Sequence, residues 1–333
     1  MSRTTDTELE NKKVAPKQKY NIRLSTTQIL FIFLAIIFVS FSLINEDFFS
    51  VYNITSLLTN ISFSGIVAVV LTLIIISGGL DISVGGVIGL TSVVVAGLFA
   101  QPDPLPIGII LIIGLGTGAL VGLFNGLCIT VLDMDPIITT LGSMAITRGL
   151  AYVISKSLSL LMMEDVTDFI SNGTLFYVPV PIIIFSIITL LFVFILHYTK
   201  FGRKVYAIGA NDISANIAGI AVKRVKLILY TLCGLAASLS GIILLGQTAV
   251  GMPQHGLGTE LEVITAVLLG GTALSGGKGK IFGTLAGVLI LGVLFNGLTM
   301  IGLRFVHLKI FQGLLLLVAV ASYEMKTRKE RTR

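Results

Sequence analysis

The side chains best placed to do chemistry lie in a glycine turn, Ser77-Gly78-Gly79-Leu80-Asp81-Ile82-Ser83, with aliphatic runs on both sides. Asp81 is the clearest ionisable group within those runs, and burying a carboxylate there costs several kcal/mol unless it is paired or wet. Two roles fit it: lining or gating a polar passage, or capping the helix that follows. A related turn, Ser275-Gly276-Gly277, returns near the other end of the chain. Each turn is followed by glycines at the same two offsets, Gly85 and Gly89, then Gly283 and Gly287. Glycine-interrupted hydrophobic segments in both halves of a membrane protein are the sequence pointer to a transport pathway. The chain reads as half of a pore.

The other polar groups inside apolar runs are neutral: Asn60, Asn125, Gln247, Asn296 and Thr299. Amides and hydroxyls both donate and accept, which suits a transient path for a neutral polyol. Hydrogen bonds between helices account for the same residues equally well. A relay of carboxylates, which an ion-coupled carrier would need, is missing.

Signatures of catalysis are missing too. Gly271 to Gly276 has P-loop glycine spacing, but Gly277-Lys278-Gly279 replaces the Lys-Ser/Thr step. Gly114-Leu115-Gly116-Thr117-Gly118 resembles a dinucleotide fingerprint, yet it lies in the middle of an apolar run with no strand before it. A ladder at Gly114, Gly118, Gly122 and Gly126 instead strips one helix face so that a neighbouring backbone can approach. His197, His255 and His307 are scattered, with no spacing for a metal, and read as interfacial. Cys128 and Cys233 read as packing residues. No enzyme activity, bound cofactor or metal is expected of the chain itself.

These groups need a membrane scaffold to hold them. Of the 333 residues, 54% are hydrophobic and 12% charged, too apolar a balance for an ordinary soluble domain. Spans of roughly twenty residues are expected at 27–45, 54–76, 83–100, 106–131, 136–155, 178–197, 226–247, 260–275, 281–302 and 308–323. The fold class is therefore all-α, a polytopic membrane protein of about ten transmembrane helices. The eighth and tenth spans are short, and the second and third could form a broken pair. With both termini cytoplasmic, Lys and Arg divide about nineteen to four in favour of the inside. Arg148, Lys156, Arg304 and Lys309 are the four placed on or near the outside. The net charge of +6 has no continuous basic face, so nucleic acid is not expected as a partner. Residues 1–26 and 324–333 read as basic cytoplasmic tails around a transmembrane domain at 27–323, and the first span, preceded by a long polar head, reads as a retained anchor rather than a removed signal peptide.

Two loops are long enough to act. Residues 156–177 face outward and carry Glu164, Asp165 and Asp168. Residues 198–225 face inward. There, Asn211 or Asp212 can cap about two turns of helix that Gly219 ends, a short small-residue element between basic clusters. It suits either insertion into a partner's cleft or adsorption on anionic lipid through Lys204, Lys223, Arg224 and Lys226.

Three stretches together resemble the ribose-type permease family, the membrane subunits of bacterial ATP-binding-cassette importers for simple sugars. They are Ser77 to Gly85; Gly209-Ala210-Asn211 with Ala215 and Gly219-Ile220; and Ala266 to Gly277. The similarity runs from about residue 28 to about 323. It implies a cell-membrane (inner-membrane) location and a second permease subunit, identical or not, that completes the path. It also implies a separate ATPase subunit that hydrolyses ATP, and a periplasmic or lipoprotein sugar-binding protein. Gly209, Asn211, Asp212, Ala215, Gly219 and Ile220 match the family's ATPase-coupling segment. On this reading Asn60, Asp81, Asn125, Gln247 and Asn296 are candidates for the path. The outer loop, with Leu160 to Met163, looks individual to this chain.

Overall fold

A computed structural model describes residues 25–162 and 168–331. Residues 1–24 of the basic head, Glu164, Asp165 and the last two residues of the chain lie outside the described part.

The fold is all-α apart from two minimal strand pairs. Helices α1 (Thr26–Ile44), α2 (Val51–Ile76), α3 (Val84–Phe99), α4 (Ile107–Thr130) and α5 (Pro136–Ile154) come first. After α6 (Asp168–Ser171) come α7 (Val180–Tyr198), α8 (Lys200–Ala210), α9 (Asp212–Ile217) and α10 (Val222–Thr248). The last are α11 (Thr259–Leu269), α12 (Ile281–Met300) and α13 (Phe305–Arg331). Strands β2 (Thr174–Leu175) and β3 (Val178–Pro179) form a hairpin. Strand β1 (Leu160–Leu161) pairs antiparallel with β4 (Val250–Gly251), so part of the individual loop is stitched to the end of α10.

Seven helices among the described residues are long and apolar enough to cross a membrane: α1, α2, α4, α5, α7, α10 and α12. Every expected span falls on a helix, but α3 and the apolar part of α13 are shorter. α11, expected at 260–275, has only 11 residues. At 1.5 Å per residue it covers about half of a 30 Å hydrocarbon layer. α13 runs on past 323 through Arg331, where a separate tail was expected.

Local chemistry sets the boundaries. Ser50 starts α2 by accepting from Asn53 N. Asp135 accepts from Ile137 N and Ile138 N, and Pro136 follows at the first helical position, where its missing N–H costs nothing. The core is built around α2, buried almost continuously from Ile61 to Ile76. α10, α12, α7 and α11 pack on it, while α3 fills the space between α10 and α5.

Candidate functional site

The two glycine turns, far apart in sequence, meet. Gly277 N donates to Ile76 O at 2.8 Å, joining the end of α2 to the turn between α11 and α12. Gly209 of α8 is wedged into that junction, and a Cβ there would overlap Ile76 O and crowd Gly277 N. Tyr206, one turn earlier, donates its hydroxyl to Gly279 O at 2.7 Å. Burial raises the Tyr206 pKa, keeping the proton that this bond needs. The end of α8 is thus bolted to both halves of the bundle.

α9 projects from this end. Asn211 is its cap, accepting from Ser214 N at 2.8 Å, and Gly219 ends it at φ +80°. Asp212 of α9 pairs with Lys226 at 3.6 Å and Asp133 of the α4–α5 turn with Lys223 at 3.7 Å, so the start of α10 ties to both. Gly219 and Asn211 are exposed, Ile220 half-buried, and Ala215 turns inward. Sequence reasoning stressed the small residues and passed over Ile213 and Ile217, 71% and 82% exposed on the outer face. Their i, i+4 spacing was the signal.

The glycine ladder of α4 lies on α10. A Cβ on Gly118 would strike Gly234 O, and the reverse holds for Gly234; Gly122 lies on Tyr230 O and Gly126 on Leu227, while Gly114 faces Val95 and Ile242. Asp81 and Asn125 are brought together and fully buried. Asp81 Oδ1 accepts from Ser83 N at 2.9 Å and from Ser83 Oγ at 2.6 Å, and Asn125 Nδ2 donates to that same Oγ at 2.9 Å. Asp81 thus makes a tight turn ahead of α3 rather than a cap on its first turn. Cys233 hydrogen-bonds to it, and both cysteines are free and buried.

Residues 249–258, between α10 and α11, are mostly non-helical. They run back alongside α3, because Gly251 lies on Ser92 O and Ala96, Gly89 on Pro253 O and His255 O, and Gly85 on Gly256 O. Irregular backbone at membrane depth survives only where protein satisfies its polar groups. Arg148 does so. Its Nη1 donates to the carbonyls of Pro253 and of His255, the latter at 2.8 Å. Arg148 lies within α5, inside the span expected at 136–155, with its guanidinium bound to these carbonyls. His255 is buried, with Nδ1 2.7 Å from Ser92 Oγ, not interfacial. Among the described residues no cluster of His, Cys, Asp or Glu could hold a metal.

A family model described as "branched-chain amino acid transport system / permease component" matches residues 53–320. The chain belongs to this permease family. A ribose import permease protein of Bacillus subtilis (strain 168) is 39% identical over 293 residues, 87% of the permease and 90% of the relative. A ribose import permease protein of Escherichia coli (strain K12) is 36% identical over 288 residues, 84% and 88% of the two chains. The L-arabinose transport system permease protein of Escherichia coli (strain K12) is 35% identical over 319 residues, 96% and 97%. No solved structure matches. The permease is a multi-pass membrane protein.

The remaining candidates separate. Asn60 and Asn296 line one groove of the permease with Thr299, between α2, α11 and α12. Asn296 and Asn53 exchange amide hydrogen bonds at 3.0 Å in both directions. Gln247 lies at the end of α10 and does not line that groove. In both halves the post-turn glycines serve α11. Gly287 lies on Ala266 O of α11 and Gly283 on the O of Gly270, which caps its end, while Gly85 and Gly89 accommodate its lead-in.

Proposed function

We propose that this chain is the membrane subunit of an ATP-binding-cassette importer, and that it forms half of the translocation path for a ribose-like monosaccharide. The observation that carries this is near-full-length similarity to permeases named for ribose and for L-arabinose. A secreted sugar-binding protein delivers the cargo and a separate ATPase subunit supplies the energy. A second permease subunit completes the path in the lipid bilayer. The chain itself binds no cofactor and catalyses no reaction.

In this reading the chain crosses the bilayer about ten times, with α11 as a half-crossing, and both termini are cytoplasmic. The Gly209 end then faces the cytoplasm. Residues 209–220 dock in the ATPase: Ile213 and Ile217 enter its cleft, and Gly209 and Tyr206 pass displacement to the two glycine turns. An exposed pair of isoleucines one turn apart, on a short capped helix, supports the docking.

The test is uptake. Vesicles holding the chain with its cognate ATPase should take up ribose or arabinose when ATP and the binding protein are supplied. Sugar uptake by the chain alone would refute the reading and favour an ion-coupled carrier. A second cargo class, a branched-chain amino acid, is favoured by the description of the family model. A sugar-derived signal or a nucleoside would use the same scaffold. Competition of ribose uptake by leucine or a nucleoside separates these cargoes.

A further inference from the structure

Between α2, α11 and α12 lies a groove of about 290 Å³ whose polar and aromatic lining comprises Asn60, Phe63, Glu262, Phe295, Asn296 and Thr299. We propose that it is a binding site for a neutral polyhydroxylated molecule of monosaccharide size, with the Glu262 carboxylate accepting its hydroxyls. This rests on the permease reading above and names where that cargo is held.

Glu262 is half-buried in the first turn of the half-helix α11, bonded to Ser64 of α2. A carboxylate gains there from the free N–H groups of the helix start. Ser64 and the nearby charge of Lys309 offset part of the cost of an ionisable residue here, and its edge on the groove can also meet water or a ligand. Asn60 and Thr299 are exposed and Asn296 half-exposed on the same walls, so none of them is spent wholly on packing.

The set matches a polyol. A sugar presents vicinal hydroxyls that each donate and accept; a carboxylate accepts, while amides and a hydroxyl do both. Its C–H face is apolar, and Phe63 and Phe295 offer ring surface for it. No cationic side chain lines the groove, so the carboxylate of an amino acid would find no charge to pair with there and would meet Glu262 as a like charge. The volume stands at the small end of ligand sites, roughly 300–1,000 Å³. Beside Glu262, Ser64, Val263, Ala266, Val288 and Leu291 leave no room for a water molecule.

The protein contains no tryptophan, which makes a silent background for one reporter. Phe295→Trp in the full chain, purified in nanodiscs, should show a saturable fluorescence change with D-ribose at millimolar concentration and none with leucine. Phe194→Trp on the exposed face of α7 should show neither. Adding Glu262→Gln should weaken the ribose response about tenfold, the loss of a charged hydrogen bond. Asn60→Leu, checked for folding by gel filtration, should weaken it as well. A Phe295→Trp reporter blind to ribose, in a chain that still supports ribose uptake with its ATPase, would overturn the groove and leave the permease reading intact. A response to leucine alone would overturn the polyol assignment. Failure of uptake with every sugar would remove the reading beneath it, and this proposal with it.

Discussion

Gly277 and Ile76, two hundred residues apart, share a backbone hydrogen bond of 2.8 Å, and Gly209 packs against both ends of it. Three segments meet there backbone to backbone. A displacement of α8 cannot be absorbed by side-chain rotation, because no side chain stands between them.

Gly209→Val should therefore be severe. Its side chain would meet a carbonyl held in place, and overpacking of that kind costs about 1–3 kcal/mol or more. Thermal unfolding in detergent checks this, and a variant as stable as the parent would show that the junction is loose. Tyr206→Phe removes only the bond to Gly279 O and should cost about 1 kcal/mol.

Ile217→Asp should leave folding nearly untouched, since surface changes stay within about 0.5 kcal/mol. Docking of the ATPase should weaken by at least about tenfold, as expected for an apolar anchor at an interface. Co-purification of the ATPase measures it. Unchanged capture would remove α9 from the docking surface. Asn211→Pro deletes the α9 cap, and should uncouple ATP hydrolysis from uptake while membrane insertion is kept.

Gly122→Leu has no room, because the Tyr230 carbonyl of α10 lies where its Cβ would go. Loss of folded protein in membranes is expected. A stable, active Gly122→Leu chain would mean that α4 and α10 can separate, against the close approach described above.

Arg148→Ala should strand the carbonyls of Pro253 and His255, at about 1–3 kcal/mol for buried acceptors left unpaired. Arg148→Lys should recover part of the loss, because a single ammonium replaces a fork of donors. Unfolding midpoints of the three chains give the order. Equal midpoints would mean that water satisfies those carbonyls.

The apolar runs legible in the sequence all became helices, because length and hydropathy are local properties that a bilayer fixes. The α4 ladder was legible for the same reason: four-residue spacing places its glycines on one face before any partner is known. α11 was legible as a short span, but not as a half-helix. The composition of 260–275 is that of a span, and only the path of 249–258 along α3 reveals a half-helix. The role of Arg148 was not legible either, because its partners, two carbonyls on another element, leave no mark on the surrounding sequence. Glu262 lay in the expected span 260–275, where its charge was a signal that was passed over, but its groove draws walls from three helices distant in the chain.

By itself, the sequence determined that this is a multi-span membrane protein, where its glycines strip the helix faces, and which short capped helix stands free of the apolar runs. Those features depend on residue type and spacing within one segment. Only the tertiary structure decided that the two Ser-Gly-Gly turns meet at Gly209, that Asp81 and Asn125 share Ser83, and that Asn60, Glu262 and Asn296 share a groove. Each of these is a distance between segments set by how helices pack, and a chain read in one dimension carries no such distance.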